Sequence, residues 1–510
     1  MSNRRYNLLF LITDQQRHDT LSCYGNTIVH TPNLDALARN GARFARCYTI
    51  CPVCGPARSS MLTGMSPYVQ ETRTNESVNA STTPDGVCMT HKTYDEILVE
   101  NGYYAEYHGK WHAPIYRASC YTGFETVMGK PGLRSAYGDR YHQWLNTVSP
   151  RIEAADGQLM DASYRRAYIP NPIDIRYGMK EGETPCDAAG EPLRMTQPDY
   201  HGELLIAPQH TKGAYCVDRA IEGLRRAHAT GRPFTLTCSL NEPHSPMVLT
   251  RPYYGMFPPE KMPVPKSIDD TMENSPYRRA NRRLEHPEYA DPEKLRFMIS
   301  EYYGMVKQID DNLGRLLEEL KSLGEYDNTL IVFTSDHGEM LGAHGMREKN
   351  VFYEESLHVP LIMTMPGVIP AGTVVQEPIT TLSLHATILD YLQTGENLSD
   401  GVSLRGLIEG TAPVEQEPHV VCEWSYPYMP SLCVVTQEWK LIVSVRPEEL
   451  CALYHISRDP EELCNLIGRH PNREAFRDVV EQLKHYLLDY LEPMRHPLLE
   501  LIRDLEVIKH

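Results

Sequence analysis

Three continuous apolar runs, each followed directly by polar residues, constrain the fold of this 510-residue chain more than any other feature. The runs and their following residues are 7–13 before Asp14-Gln15, 233–240 before Asn241-Glu242-Pro243-His244, and 329–334 before Ser335-Asp336-His337. Unbroken apolar strands are typical of a parallel sheet that is covered on both faces. In such sheets the carboxyl ends of the strands open on one edge, where ligands bind. The three polar strand ends therefore predict one shared site.

Helical patterns lie between these strands. The clearest runs from about 295 to 323 and ends at Gly324, with apolar residues three or four positions apart. An earlier helix is predicted from Thr31 to Gly41, with Pro32 near its start and Gly41 as its C-cap. Alternating helices and strands predict an α/β fold, a large and mostly parallel sheet sandwiched by helices.

The domain organisation follows from changes in this pattern. We expect a catalytic domain at 1–412, with insertions near 113–209 and 249–292 that wall the substrate pocket. These insertions are rich in Pro, Gly, Tyr and charge, and long segments of that kind are usually functional. Short strand patterns and a helix at about 473–491 predict a smaller C-terminal subdomain at 413–510, an antiparallel sheet with a helix.

Composition excludes several classes of protein. The formal net charge of −17 argues against a nucleic-acid partner, which requires a basic face, but allows a small anionic substrate in a locally positive cleft. No apolar run approaches the roughly 20 residues that cross a bilayer, and the amino-terminal segment lacks a signal-peptide cleavage site. The thirteen cysteines form no compact disulfide framework. We therefore expect mostly free thiols, no membrane partner and a cytoplasmic location.

The segment Cys54–Gly64 carries the strongest chemical signal, because its cysteine, proline and arginine follow one another at fixed spacing. Pro56 favours the start of a helix, whose first turn offers N–H groups and a positive dipole end to an anion. Arg58 follows Cys54 by one turn, close enough to hold a nucleophile or a substrate oxygen. Cys51 and Cys54 also form a Cys-x-x-Cys pair, which is compatible with redox chemistry or half a zinc site.

The strand-end residues suit a hard divalent cation, which prefers oxygen ligands. Asp14, Asp336 and the amide oxygen of Gln15 supply oxygen, and His337 adds a nitrogen. The alternative is that the aspartates are helix N-caps and that the histidine lies on the surface.

Cationic and proton-donating side chains form a second set. Lys110 and His112 are two residues apart and would face one side of an extended segment. His244 lies in a proline-rich loop, and Lys349 follows the third strand end. Each of these residues could instead be an ordinary surface or core residue.

Together these motifs resemble the type I sulfatases of the alkaline-phosphatase-like superfamily, from residue 7 to about 466. The matching segments are Asp14, Cys54-x-Pro-x-Arg58 with Leu62-Thr63-Gly64, Gly109-Lys-Trp-His112, Pro243-His244-x-Pro246, Asp336-His337-Gly338 and Leu453-Tyr-x-Ile-x-x-Asp-Pro-Glu. The resemblance implies that a maturation enzyme oxidises Cys54 to Cα-formylglycine. It implies a calcium ion, or another divalent cation, held by Asp14, Gln15, Asp336, His337 and the modified Cys54.

The resemblance also implies roles for the remaining candidates. Arg58 and Lys349 would steady the formylglycine, Lys110, His112 and His244 would hold the sulfate, and Asn75 would reach the site. As a hypothesis, the hydrated aldehyde attacks sulfur, the cationic groups stabilise the sulfuryl oxygens, and His244 or His112 protonates the departing alcohol.

Two positions depart from the commonest family pattern. Many sulfatases carry two consecutive aspartates where this chain has Asp14-Gln15, and the commoner serine of the signature is Ala57 here. Related phosphonate monoester hydrolases share the Asp-Gln start and the Asp-His pair. We expect a sulfatase of a sulfated carbohydrate, such as a glycosaminoglycan fragment, similar to the iduronate-type enzymes. The alternatives are a phosphonate monoester hydrolase or phosphodiesterase, an aryl or choline sulfatase, and a non-catalytic anion-binding protein.

Overall fold

The computed structural model of the protein describes most of the chain. The described ranges are 5–75, 89–126, 206–245, 247–278, 291–395, 399–411, 418–424, 432–446 and 449–508, with short pieces between 140 and 203. The predicted insertion near 113–209 therefore lies largely outside the described residues. The insertion near 249–292 is described as far as 278 and again from 291.

A nine-stranded sheet lies at the centre of the described structure. In chain order its strands are β1 (Asn7–Asp14), β2 (Ala42–Tyr48), β3 (Tyr104–Gly109), β4 (Gly123–Thr126), β5 (Phe234–Pro243), β6 (Thr329–Ser335), β7 (His358–Val359), β8 (Leu361–Thr364) and β9 (Thr373–Thr380). Their spatial order is β7-β2-β8-β6-β1-β5-β3-β4, and β9 pairs with β2. The pairs from β4 through β3, β5 and β1 to β6 are parallel, whereas β8 is antiparallel to β6 and β2. This confirms the prediction of a mostly parallel sheet.

The register of the central strands brings their carboxyl ends to one edge. Thr13 of β1 lies opposite Ser335 of β6, and Asp14 lies opposite Pro243 of β5. All eight residues of β1 are buried, as its unbroken apolar sequence predicts. The polar residues that follow the three strands therefore lie next to one another.

Helices cover both faces of the sheet. The helices of the described residues are α1 (Pro32–Arg39), α2 (Cys54–Thr63), α3 (Tyr94–Glu100), α4 (Lys212–Ala229), α5 (Pro292–Ser322), α6 (Glu354–Leu357), α7 (Ser383–Tyr391), α8 (Arg405–Ile408), α9 (Arg477–Leu491) and α10 (Leu499–Asp504), of which the last two belong to the C-terminal part. Helices α1, α4 and α5 pack with Leu9 and Leu11 of β1, whereas α2, α3 and α7 pack with Leu8 and Phe10. Because side chains alternate along a strand, β1 contributes to both cores. Each buried leucine stabilises the fold by roughly 1.5–3 kcal/mol.

The long helix α5 has the face that its sequence predicts. Its apolar residues at helical spacing are all buried: Leu295, Met298, Tyr302, Val306, Ile309, Leu313, Leu316 and Leu320. Asp291 caps the amino end through the N–H of Glu293, and Gly324 has a positive φ of 69° just beyond the carboxyl end.

The predicted C-cap of the first helix is wrong by one residue. Helix α1 ends at Arg39, and its C-cap is Asn40 rather than Gly41. Gly41 serves a different purpose, because a Cβ atom there would lie 2.2 Å from the carbonyl oxygen of Met363. The glycine allows β2 to approach β8 closely.

A four-stranded antiparallel sheet forms the C-terminal part of the described structure. Its strands, in both chain and spatial order, are β10 (Val420–Glu423), β11 (Leu432–Val435), β12 (Trp439–Val443) and β13 (Ala452–His455). Helix α9 packs on one face, and residues 473–476 before it form a 3₁₀ turn. Buried Lys440 of β12 contacts Glu354 at 2.6 Å and Glu462 at 2.9 Å, which ties this sheet to the larger one. The domain boundary at 412/413 stays a prediction.

Two further sequence expectations concern the whole chain. None of the helices among the described residues is both long and apolar enough to cross a membrane. None of the eleven cysteines within the described ranges forms a disulfide, as their scattered spacing predicts.

Candidate active site

The three parallel strand ends deliver their polar side chains to one buried place. Asp14 is the last residue of β1, and Asp336 and His337 follow β6 directly. All three side chains are fully buried. His244 follows β5 on the other side of β1, and its Nε2 lies 4.0 Å from Asp14 Oδ1. The shared site that the strand ends predict is therefore present.

Helix α2 brings Cys54 to the same place. The helix begins at Cys54, all ten of its residues are buried, and Pro56 occupies its third position. The backbone N–H of Gly55 donates to Asn75 Oδ1 at 2.9 Å. Asn75 therefore accepts from one of the first-turn N–H groups that we expected to be available to an anion. Asn75 lies beside Cys54, as the resemblance implied.

Arg58 contacts one carboxylate oxygen of Asp14 and one of Asp336, and Lys110 contacts the same oxygen of Asp14. Arg58 Nε donates to Asp336 Oδ2 at 2.7 Å, and its Nη2 lies 3.3 Å from Asp14 Oδ2, which Lys110 also contacts. The other oxygens, Oδ1 of Asp14 and Oδ1 of Asp336, lie 3.9 and 3.7 Å from His337 Nε2. The cations therefore hold the two carboxylates in place through their Oδ2 atoms. Both Oδ1 atoms face His337, and Oδ1 of Asp336 also accepts the backbone N–H groups of Gln15 and His337.

Four donor atoms converge on a single point. One atom each from Asp14, Cys54, Asp336 and His337 lies within 4.8 Å of all the others. His337 Nδ1 lies 2.9 Å from the carbonyl oxygen of Gly338, which can only accept, so Nδ1 carries a proton, and in the neutral imidazole Nε2 bears the lone pair that faces the site. Two carboxylate oxygens and an oriented imidazole fit a divalent cation.

The charges of this cluster shift the pKa values of two of its donor residues. Burial opposes a charge on His337, but Asp336 and Cys54 raise its pKa to about 8. Burial and Cys54 raise the pKa of Asp14, yet Lys110, His244 and Arg58 outweigh them and hold it well below its ordinary value. Asp14 is therefore an anion throughout the neutral range.

Cys54 lies in surroundings that favour its ionised form. Burial raises the pKa of the thiol, but Lys110, Lys349 and His337 lower it well below the ordinary value, and His112 adds a hydrogen bond. The sulfur lies 3.0 Å from His337 Nε2 and 3.9 Å from Asp14 Oδ1. Any anionic oxygen that replaced the sulfur would be stabilised by the same cations.

The segment that carries Lys110 and His112 is not extended, so that prediction is wrong. Gly109 has a φ of +114° and His112 a φ of +48°, because the chain turns away from β3. A Cβ atom at position 109 would lie 1.8 Å from the carbonyl oxygen of Ser239. Both side chains nevertheless reach the site, since Lys110 contacts Asp14 and His112 is hydrogen-bonded to Cys54.

Lys349 joins His244 to Gln15. Its ammonium donates to Gln15 Oε1 at 2.6 Å and to His244 Nε2 at 2.9 Å. His244 Nδ1 lies 2.7 Å from the carbonyl oxygen of Ser245, so Nδ1 carries the proton and Nε2 the lone pair. Burial opposes the Lys349 charge, but Cys54, Glu348 and Asp14 keep its pKa well above the ordinary value. Pro246, the last matching residue of the His244 loop, lies outside the described residues.

The structure brings every predicted site residue to this cluster, and the role of each stays a prediction. Sequence reasoning missed three residues that hold the cluster in place. Ser239 Oγ accepts from Arg58 Nη1 at 2.8 Å, Tyr302 donates to the carbonyl oxygen of Gln15 at 2.5 Å, and Glu339 accepts from the side-chain amide of Gln15. Glu339 could have been suspected, because it follows His337 by two residues in the strand-end segment.

Family models match nearly the whole chain. The model described as Sulfatase matches residues 6–394, and the model described as N-sulphoglucosamine sulphohydrolase, C-terminal, matches residues 342–491.

Curated relatives cover the chain almost from end to end. An arylsulfatase of Clostridium perfringens is 28% identical over 95% of this chain and 94% of its own length. An N-acetylglucosamine-6-O-sulfatase of Bacteroides thetaiotaomicron is 25% identical over 96% of this chain and 87% of its own length. A choline-sulfatase of Rhizobium meliloti is 28% identical over 91% of this chain and 83% of its own length.

Solved structures share the fold. A protein in complex with its substrate D-glucosamine-2-N,6-O-disulfate aligns with a TM-score of 0.68 and 22% identity, over 99% of this chain and all of the other. A phosphonate monoester hydrolase from Silicibacter pomeroyi aligns with a TM-score of 0.73 and 24% identity, over 96% of both chains. These likenesses establish the overall architecture.

Proposed function

Since this chain belongs to the sulfatase family and is a hydrolase of sulfate esters, we propose that its substrate is a sulfated carbohydrate and that oxidised Cys54 supplies the nucleophile. One observation carries the proposal. Cys54 opens a buried helix beside two carboxylates whose second oxygens are held by Arg58 and Lys110. An ordinary structural cysteine has no need of such surroundings.

The modification of Cys54 and the cation belong together. Calcium prefers oxygen ligands, whereas a thiolate is a soft ligand that suits zinc. Conversion of Cys54 to Cα-formylglycine by a maturation enzyme exchanges sulfur for oxygen and leaves the nitrogen of His337 as the one donor in the set that is not oxygen. Asp14, Gln15, Asp336, His337 and the modified Cys54 would then hold a calcium ion, which supplies Lewis-acid polarisation of the oxygens that it binds.

The remaining side chains suit the binding of a sulfate ester. Lys110 and Lys349 carry positive charge in a buried site, where donors aimed at developing negative charge contribute most to the rate. The same charges attract an anionic ester more strongly than a neutral one, so the site favours an anionic ester. Asn75 and Arg58 fix the amino end of α2, and with it the position of the nucleophile.

Two histidines divide the proton transfers. His112 is hydrogen-bonded to the side chain at position 54, and burial lowers its pKa, so it is neutral and can accept a proton from the nucleophile. His244 is 22% exposed, and its Nε2 accepts from Lys349 at the site. We assign to the protonated form of His244 the delivery of a proton to the departing alcohol oxygen.

The carbohydrate substrate is supported by the sequence relatives. The N-acetylglucosamine-6-O-sulfatase covers 96% of the chain, and a model of N-sulphoglucosamine sulphohydrolase matches the C-terminal part. The test is a comparison of kcat/KM for glucosamine 6-O-sulfate, glucosamine N-sulfate, iduronate 2-O-sulfate, choline sulfate and nitrophenyl sulfate. We expect a sulfated sugar to exceed both non-carbohydrate esters by about tenfold or more. Equal rates on choline sulfate would overturn the proposed substrate class.

The nucleophile has its own test. Cys54→Ala should abolish turnover, whereas Cys51→Ala, a buried cysteine three residues earlier, should retain it. Intact mass should lie about 18 Da below that of the thiol form when the cysteine is oxidised. Near-native activity of Cys54→Ala would rule out the proposed nucleophile.

A second candidate function is phosphonate monoester hydrolysis. It is favoured by the neutral Gln15 beside Asp14 and by His337 after Asp336, the two positions at which the sequence resembles such hydrolases. The ratio of kcat/KM for nitrophenyl sulfate to that for nitrophenyl phenylphosphonate separates the two. A ratio above one supports the sulfatase, and a ratio below one supports the phosphonate enzyme.

A further inference from the structure

Gln15 differs from a carboxylate in one respect that matters at a cation. The two oxygens of a carboxylate are equivalent, whereas an amide presents an acceptor on one side and a donor on the other. A glutamine beside a cation is therefore useful only if its oxygen is turned toward the positive charge. Something in the structure must choose that orientation.

The backbone of Gln15 is already fixed at three points. Its φ is +66°, its N–H donates to Asp336 Oδ1 at 3.0 Å, and its carbonyl oxygen accepts from Tyr302 at 2.5 Å. These contacts place the side chain between Glu339 and Lys349 but do not decide which end of the amide faces which neighbour.

Glu339 decides it. This carboxylate is fully buried, and its Oε2 accepts from Gln15 Nε2. Because a carboxylate has no proton to donate, only the NH₂ end of the amide can face it. The opposite neighbour, Lys349, has only donors and lies 2.6 Å from Gln15 Oε1. Both neighbours therefore impose the same orientation.

Glu339 is itself immobilised. Its other oxygen, Oε1, accepts the backbone N–H groups of Leu341 at 3.1 Å and of Glu348. Arg347 Nε lies 3.9 Å from the same oxygen. The loop that bears Lys349 therefore also holds Glu339 in the orientation in which Glu339 contacts Gln15.

We propose that Glu339 is a positioning residue that turns the Gln15 amide oxygen toward Lys349 and the cation site. It acts through Gln15 and touches neither substrate nor cation. The proposal deepens the proposed function, because it explains how this chain uses a neutral residue at a position next to a cation.

The test is a double-mutant cycle between positions 15 and 339. In Glu339→Gln, the two backbone N–H groups at Oε1 keep the amide oxygen on their side, so the new NH₂ group faces Gln15. Gln15 must then either accept a donor–donor conflict or turn its own NH₂ group toward Lys349. We expect calcium affinity, measured by titration calorimetry on the full-length matured enzyme after chelation and dialysis, to fall by about tenfold or more.

The same substitution should have the opposite effect when position 15 is a carboxylate. In Gln15→Glu, two carboxylates face each other, and adding Glu339→Gln replaces that repulsion with a hydrogen bond. Glu339→Gln should therefore weaken calcium binding beside glutamine and strengthen it beside glutamate. This reversal of sign is a readout that a merely structural role would not produce, because such a role predicts the same loss in both backgrounds.

Controls separate this inference from loss of the fold. Glu325→Gln removes the charge of another buried carboxylate, one that accepts from Asn7 at the opposite edge of the sheet, and should leave calcium affinity unchanged. If Glu339→Gln alone does not fold, Glu339 and Glu339→Gln are compared in the Gln15→Leu background. The amide partner is absent there, so the substitution should leave calcium affinity unchanged. Equal effects in every background overturn the proposal. Calcium affinity is read without substrate, so a wrong assignment of the substrate would not be mistaken for this failure.

Discussion

Replacement of Lys349 by methionine tests the electrostatics of the site most directly. Lys349 is 9% exposed, and its ammonium donates to Gln15 and His244 beside Cys54. Methionine keeps much of the side-chain volume and removes the charge. The positive potential that favours an anion at position 54 should then fall.

The expected loss can be worked from these contacts. Removing one preorganised donor from a site of developing negative charge costs about 2.7–4 kcal/mol, which is roughly 10²–10³ in kcat. The loss should appear in kcat rather than in KM, because negative charge develops on the reacting oxygens in the transition state. The two acceptors left behind, Gln15 Oε1 and His244 Nε2, border a polar site, so stability should change little.

The matched control is Lys440, another buried lysine, which is held by Glu354 and Glu462 away from the site. Lys440→Met leaves two buried carboxylates without their cation, which costs about 3–5 kcal/mol. At about 2.1 cal/mol/K of unfolding entropy per residue, this lowers the Tm of the 510-residue chain by about 3–5 °C. Its kcat should remain near that of the wild type.

The assay is steady-state hydrolysis of nitrophenyl sulfate together with thermal unfolding of the same preparations. The formylglycine content of each variant is measured by intact mass, so that incomplete maturation is not counted as lost catalysis. A Lys349→Met enzyme with full maturation and a kcat within threefold of the wild type would refute the reasoning. So would a fall in kcat of equal size in Lys440→Met.

Three other predictions follow from the same structure. Burial raises the pKa of Glu423 to about 7, above its unfolded value of 4.5. The ionised carboxylate therefore lowers the free energy of unfolding, and this loss of stability is fully present above pH 7 and disappears as pH falls toward 4.5. The Tm advantage of Glu423→Gln over the wild type should therefore be largest at pH 8 and absent near pH 4.5, and a constant difference would contradict this. Chelation of divalent cations should abolish turnover, and added calcium should restore it. A preparation that keeps the Cys54 thiol should instead bind zinc more tightly than calcium in a chelator competition, because sulfur is a preferred ligand of zinc. Gly109→Ala should fail to give folded protein, because its Cβ atom would lie 1.8 Å from the carbonyl oxygen of Ser239, and a stable, active variant would show that β3 can shift.

Much of the architecture could be predicted because its signals are local. The apolar run of β1 and the periodic apolar face of α5 each follow from a few neighbouring residues, and both are confirmed. The convergence of Asp14 and Asp336 could also be predicted, since parallel strands end at the same edge of a sheet. The errors were local as well. The extended form expected for Lys110 and His112 failed because β5 lies so close that the chain must turn at Gly109.

The finer chemistry depends on contacts between residues that are far apart in sequence. The sequence by itself determined which donors would meet: the carboxylates, the histidines, the lysines and the cysteine at the start of α2. Only the tertiary structure decided which oxygen of each aspartate is held by Arg58, which nitrogen of His337 faces the site, and which end of the Gln15 amide meets Glu339. These choices depend on the direction of single hydrogen bonds, and a direction is fixed only when both partners are in place.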